Sequence, residues 1–310
     1  MKKIAIFLTI IISILICGCK EGTTNNETVQ AAVEGITIDE EHFPDECFRK
    51  YIRDRIDSDN NEVLTVDECD NTKEIIIGWD DVEYSEINDM KGIEYFTNLE
   101  HVCCIYSSLK EIDISNNLEL KRISVMNTYI EKIDVSNNNK LESLNCGDTQ
   151  IKTLDVRKNS KLKYLDCANT LVEEIDVTNN RELHDLNCQG TNINTIEVDN
   201  LGKLYRLNIA DTDVEELDVS NCVNLKELII SGTNISAIDV SNNDLGLIYC
   251  DDCNNIAELD VSNQTKLIEL SAQRTAISRI DITNCKKLVY LGCEPDIEII
   301  GLRRDVRVNV

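Results

Sequence analysis

Residues 141–159 read LESLNCGDTQIKTLDVRKN, and the same order of residue types starts again at Leu162. Leu opens each unit at Leu99, Leu120, Leu141, Leu162, Leu183, Leu204 and Leu225, at intervals of 21 residues. One residue is lost before Leu245 and regained before Leu267, after which Leu288 restores the interval. A fixed period of this length is the mark of a repeat architecture, in which each unit is one structural layer.

Within the unit the fourth position holds Leu144, Leu165, Leu186, Leu207, Leu228, Ile248, Leu270 and Leu291. The sixth holds Cys104, Val125, Cys146, Cys167, Cys188, Ile209, Ile230, Cys250, Ala272 and Cys293. Side chains of a strand alternate between its faces, so positions 4 and 6 point inward together while positions 3 and 5 point outward. No single 21-residue unit buries its own apolar face; stacking layers about 4.8 Å apart makes a continuous core and a parallel sheet. A second apolar set, exemplified by Ile151, Leu154 and Val156, closes the other side of each coil. An Asp ladder (Asp113, Asp134, Asp155, Asp176, Asp218, Asp239, Asp260, Asp281) repeats with the frame, as expected of residues that bond nearby backbone and hold turns. Carboxylates that obey a repeat are a framework rather than an acid–base pair.

These units resemble the leucine-rich repeats of bacterial surface proteins, specifically the 21-residue cysteine-ladder subtype of the listerial internalins. The likeness spans about residues 99–293. It implies a leucine-rich-repeat solenoid, a parallel β-sheet horseshoe wound as a right-handed coil, with an extended or turn-like convex side and a small helical N-terminal cap. The chain departs from the subtype by carrying Thr at Thr128, Thr149, Thr170, Thr191, Thr212, Thr233 and Thr275, where Asn is more usual. The register makes Cys104, Cys146, Cys167, Cys188, Cys250 and Cys293 buried thiols that pack as small hydrophobes. Stacked neighbours such as Cys146 and Cys167 have parallel Cβ vectors, a poor geometry for a disulfide. Cys222 and Cys285 replace the Asn near the end of the unit and are read as loop residues, Cys253 falls in the irregular repeat, and a Cys47–Cys69 bridge across the cap stays open.

Working outward, the chain begins with Lys2 and Lys3 before an apolar run from Ile4 through Cys17, too short for the about 20 residues of a spanning helix and read as an export signal. Ile16-Cys17-Gly18-Cys19 resembles a bacterial lipobox, which implies that Cys19 is acylated; an ordinary secretion signal cut near Gly18 is the alternative. The expected organisation is a signal and lipobox over residues 1–19, a flexible tether over 20–35, a cap with a degenerate first coil over 36–98, the solenoid over 99–295 and an end strand or cap over 296–310. Ile297, Ile299 and Ile300 are expected to form that last strand, and Trp79 to pack at the margin of the opening coil.

In the cap, Pro44 suits the first turn of a helix, and Phe48, Tyr51, Ile52 and Ile56 follow at helical spacing. Next comes DSDNNEVLTVDE over residues 57–68, which resembles a calcium loop of the EF-hand and dockerin kind. The resemblance assigns oxygen ligands to Asp57, Asp59, Asn61, Thr65 and Glu68 and to the carbonyl of Val63, with Leu64 fastening the loop inward. The sixth loop position, normally Gly because the chain turns there with positive φ, is Glu62. An acidic turn that only caps a helix is the alternative to one bound Ca²⁺.

The net charge of −26 argues against a nucleic-acid partner and against membrane contact other than through the lipid. Recognition is expected on the outward positions of the concave strand, at Tyr164, Tyr205, Arg206, Glu227, Ile229, Leu247, Tyr249 and Tyr290, with a protein or peptide as ligand and a glycan as the next choice. The three histidines, His42, His101 and His184, sit in no metal or triad motif, so no catalytic residue is assigned. The expected protein is an exported, membrane-anchored binding module at the cell surface or the periplasmic side of the envelope. A purely structural envelope protein and, less favoured, a glycan hydrolase or peptidase are the other readings.

Overall fold

The computed structural model describes residues 35–78 and 80–310; the signal, the Cys19 lipobox, most of the tether and Trp79 lie outside the described residues. The described chain opens with β1 (Gly35–Thr37), α1 (Glu46–Arg55), β2 (Val63–Thr65), α2 (Val66–Asn71) and β3 (Glu74–Ile77). The layers that follow contribute β4 (His101–Cys104), β5 (Arg122–Ser124), β6 (Ser143–Asn145), β7 (Tyr164–Asp166), β8 (Asp185–Asn187), β9 (Arg206–Asn208), β10 (Glu227–Ile229), β11 (Leu247–Tyr249) and β12 (Glu269–Ser271). β13 (Arg279–Asp281), β14 (Tyr290–Gly292), β15 (Glu298–Ile300) and β16 (Arg307–Asn309) complete the order.

Twelve of these strands, β3 through β12 with β14 and β16, form one parallel sheet in chain order, as a solenoid requires. Leu144 pairs in register with Leu165, Leu165 with Leu186 and Leu186 with Leu207, so position 4 forms a column along the interior. That column, the position-6 column and the second apolar set are buried. The side of the coils opposite the sheet is extended and turn-like, as expected, apart from the short β13–β15 pairing. Residues 298–300 join β13 on the opposite side, and the last strand of the main sheet is β16, beside β14.

Ladders of polar side chains bond the backbone within each layer and, through Asn, between layers. Each Thr hydroxyl donates to the carbonyl three residues back, as from Thr149 to Cys146 and from Thr170 to Cys167, both at 2.7 Å. Each ladder Asp accepts from the backbone N–H two residues on, as Asp134 does from Ser136 at 2.9 Å. The Asn near the end of the unit reaches into the preceding layer: Asn159 Nδ2 donates to the carbonyls of Val135 and Asn138, both at 3.0 Å. Cys222 and Cys285, expected in loops, are fully buried and take this Asn place, their thiols donating to Val198 (3.2 Å) and Val261 (3.5 Å). A sulfur–hydrogen donor one bond from Cβ meets the same carbonyl that the amide would meet. All twelve described cysteines, Cys47 and Cys69 among them, are free thiols. Cys167 Sγ lies 3.6 Å from Cys188 Sγ, and burial pushes the Cys104 thiol up to about 12.

At the first end, α1 packs Phe48, Tyr51 and Ile52 into the core. Pro44 precedes the helix instead of opening it, because Asp45 is the N-cap and accepts from Phe48 N–H at 2.8 Å. No described helix is long and apolar enough to cross a membrane.

Candidate functional site

The outward side chains of the sheet fall into three groups. On β7 the half-exposed Tyr164 stacks on His184, with ring centroids 6.3 Å apart and planes 25° off parallel. His184 Nδ1 lies 2.8 Å from the carbonyl of Glu182, which turns the ring toward Tyr164. Tyr205 follows on the next layer, 50% exposed, at position 2 of its repeat rather than on the strand.

The second group is ionic. Arg206 on β9 lies between Asp185 on β8 at 3.6 Å and Glu227 on β10 at 3.5 Å, so one guanidinium ties three strands. Burial pushes the Asp185 carboxyl up, against the pull of Arg206.

The third group is apolar and aromatic. Parallel register places Ile229 beside Tyr249 and Leu247 beside Glu269, which in turn stands beside Tyr290. The Tyr249 hydroxyl donates to the Glu269 carboxylate, and this bond holds the Tyr249 pKa up at about 12. Beneath it Ser271 donates to Asp251 at 2.8 Å. A Cβ added at Gly292 would lie 2.5 Å from Ser271 Oγ and 3.2 Å from the Tyr290 hydroxyl, so glycine there makes room for the aromatic ring. Arg206, Glu227, Ile229, Leu247, Tyr249 and Tyr290 are thus spread over β9, β10, β11 and β14 of one face, whereas Tyr164 lies two strands before Arg206 and Tyr205 precedes β9 at position 2.

Ile268 and Val289, 46% and 51% exposed, extend the apolar group and were missed from sequence. Both occupy position 2, which the alternation rule does not count as a binding column. The signal was nevertheless present. Position 2 starts as Glu100, Lys121, Glu142 and Lys163, whose side chains pair at 2.6 Å (Lys121–Glu100) and 2.8 Å (Lys163–Glu142), and only later turns apolar.

In the cap, loop residues 57–68 gather three carboxylates. Ligand oxygens of Asp57, Asp59 and Glu68 lie within 4.8 Å of one another. Asp57 is buried and accepts from Glu62 N–H at 3.0 Å, and Asn61 Nδ2 donates to Asp59 at 2.9 Å. Burial opposes ionisation of Glu68, but the Ser58 hydroxyl and the N–H groups of Thr65 and Ser58 outweigh it and hold its pKa at about 2. Thr65 and Glu68 also form a capping box that starts α2, a Thr-x-x-Glu signal readable in the sequence. Glu62 adopts φ 62°, the left-handed conformation that a calcium loop requires at this position. Val63 sits on β2, paired antiparallel with Thr37, and Leu64 is fully buried. Three converging carboxylates with no Lys or Arg ion-paired to any of them, among the described residues, fit a hard divalent cation.

No family model matches the chain, and no curated protein matches it. Solved structures do. A functional domain of InlJ from Listeria monocytogenes, described as including a cysteine ladder, superposes with TM-score 0.71 at 25% identity over 89% of this chain. This chain has the leucine-rich-repeat fold and is similar to that listerial internalin domain. It spans 64% of the InlJ domain. Two further L. monocytogenes internalins share the fold. InlF gives TM-score 0.56 at 18% identity over 90% of this chain and 98% of its own, and internalin C2 gives 0.58 at 17% over 70% and 99%. In this leucine-rich-repeat frame the histidines are scattered: His42 bonds Asp39 at 2.8 Å in the cap, His101 sits half-buried on β4, and His184 stacks on Tyr164.

Proposed function

We propose that this leucine-rich-repeat protein is a binding module that recognises a protein or peptide across the outward face of β9 to β14. The observation that carries the reading is the contrast between frame and face. The inward columns repeat layer after layer, while the outward columns of these strands change residue by residue and spread Arg206, Ile229, Leu247, Tyr249 and Tyr290 over β9, β10, β11 and β14 of one face. Aromatic and Arg side chains concentrate binding energy where they are desolvated. The net charge of −26 disfavours a nucleic-acid partner. Glycan is the second reading, supported by the exposed Tyr164–His184 stack, and a purely structural envelope role is the third.

The reading includes one Ca²⁺ in the cap, held by side-chain oxygens of Asp57, Asp59, Asn61, Thr65 and Glu68 and by the carbonyl of Val63. The ion would offset two of the three negative charges that converge there and brace the loop that follows α1. It also includes export and acylation at Cys19. Lipid on residue 19, lost with membrane association in Cys19→Ala, tests the anchor.

The binding test is capture of partners from the producing cell's envelope by the parent protein and by the Arg206→Ala/Tyr249→Ala variant. Each substitution is expected to weaken the specific partner by about 1 to 3 kcal/mol with an almost unchanged melting temperature. Equal capture by both proteins moves the interface off this face. No specific capture at all favours the structural role.

A further inference from the structure

On the side of the coils opposite the sheet, the first layers leave an open trough of about 1310 Å³. Its floor is apolar, formed by Ile112, Ile133 and Leu154, one from each of three successive layers. Carboxylates dominate the lining, with nine Asp and Glu side chains against four Lys and Arg. One rim is the start of the Asp ladder. Asp113 and Asp134 each spend one oxygen on their own turn, accepting from Ser115 N–H and Ser136 N–H, and the other oxygen of each accepts no hydrogen bond among the described residues. Arg157 is engaged within this rim by Asp155 at 2.7 Å. The other rim carries Glu111, Glu173 and Glu174 with Lys132 and Lys152 between them, and the cap closes one end with Asp89, which pairs along the backbone with Glu111. Burial pushes the Asp89 carboxyl up and Glu111 adds to the effect, against the pull of Lys91.

We propose that this trough docks an extended cationic peptide segment in which Lys or Arg alternates with apolar residues. Five layers from Asp89 to Glu174 at about 4.8 Å each give roughly 19 Å, the reach of about six extended residues. Apolar side chains on one face of such a segment cover the floor. The basic ones on its other face carry long stems that bend back to the carboxylates of both rims. The segment belongs to another molecule, and the site is independent of the strand face assigned above, because the two lie on opposite sides of each coil.

The test uses the full mature chain and a fluorescein-labelled, blocked hexapeptide of alternating Lys and Leu, read by anisotropy. Glu173→Lys/Glu174→Lys is the trough variant. Glu215→Lys/Glu216→Lys is the control, because these residues hold the same repeat positions two layers on, outside the trough, and change the net charge equally. All four positions are exposed, and circular dichroism checks that both variants stay folded. The trough variant is expected to weaken the peptide at least about tenfold and the control less than about twofold, since only close charges survive screening. Replacing Leu by Ser in the peptide is expected to cost a further tenfold or more, by about three lost apolar contacts. Equal weakening by both variants reduces the effect to the overall charge of the protein and overturns the proposal, as does a Lys–Ser peptide that binds as tightly as the Lys–Leu one. Arg206→Ala, on the strand face, is expected to leave peptide affinity unchanged, which separates this site from the one proposed above.

Discussion

Tyr249 reaches diagonally from β11 to donate its hydroxyl to the Glu269 carboxylate on β12, a bond that fixes one of the two tyrosine rings of the apolar group at the cost of ionisability. The ring is presented to solvent with its rotamer already chosen, so less side-chain entropy is lost when a partner covers it.

This bond is measurable by titration. With the Tyr249 pKa raised to about 12 by the Glu269 carboxylate, Tyr249 is expected to ionise later than an ordinary tyrosine, as burial also makes Tyr51, Tyr84 and Tyr95 do, and Tyr249→Phe is expected to remove one tyrosine from the late part of the titration. A folded-state value above the unfolded one contributes stability below pH about 10 that is lost as pH rises toward 12. A Tyr249→Phe variant with an unchanged ultraviolet titration curve between those values would show that the hydroxyl is not so held.

Asn159 tests the inner ladder. Its amide supplies donors to two buried carbonyls of the preceding layer, and Asn159→Ala leaves each with only its backbone N–H partner, at an expected cost of about 1 to 3 kcal/mol. Asn159→Cys should lose less, because Cys222 and Cys285 already serve at the equivalent place. Denaturant melts of the two variants side by side decide this; an Ala variant as stable as the Cys variant removes the ladder's energetic role.

The outer Asp ladder predicts acid sensitivity. The Arg157 guanidinium and backbone N–H hold the Asp155 carboxyl at about 2, and the Thr178 hydroxyl and N–H lower that of Asp176. Depressed folded-state values give stability that is present above pH about 4 and lost as pH falls through the folded values. Melting temperature should therefore fall between pH 4 and 2, and Asp155→Asn/Asp176→Asn should flatten part of that slope.

Glu62 holds a left-handed backbone at φ 62°. Glu62→Gly is expected to stabilise the cap by about 1 kcal/mol and to tighten calcium, since glycine adopts this conformation without a Cβ penalty. Millimolar calcium should raise the melting temperature of the parent and leave the Asp57→Ala/Glu68→Ala variant unmoved. Equal shifts in both proteins place the ion elsewhere.

Cys146 and Cys167 are fully buried, and burial pushes the Cys146 thiol up. Neither is expected to react with a thiol reagent in the folded protein, and both should appear reduced once it is denatured. A bridge between them would reverse the assigned direction of position 6.

The repeat alone determined the layers, the register and the side on which every Leu and Cys of the frame points, because a 21-residue interval, strand alternation and the need to bury one face leave a single consistent stack. The Asp57–Glu68 loop was legible too, since its residues are local and their spacing sets which oxygens converge. The tertiary structure alone decided contacts between layers. Asn159 bonds carbonyls 21 and 24 residues back, Cys222 proved a donor and not a loop residue, Arg206 settled between two acids, and Tyr249 chose the diagonal Glu269. Residues 298–300 crossed to β13 while β16 closed the sheet. The physical reason is that a periodic sequence fixes which way a side chain leaves the backbone, whereas its partner depends on the stagger and separation of the neighbouring layer, and that spacing exists only once the coils have stacked.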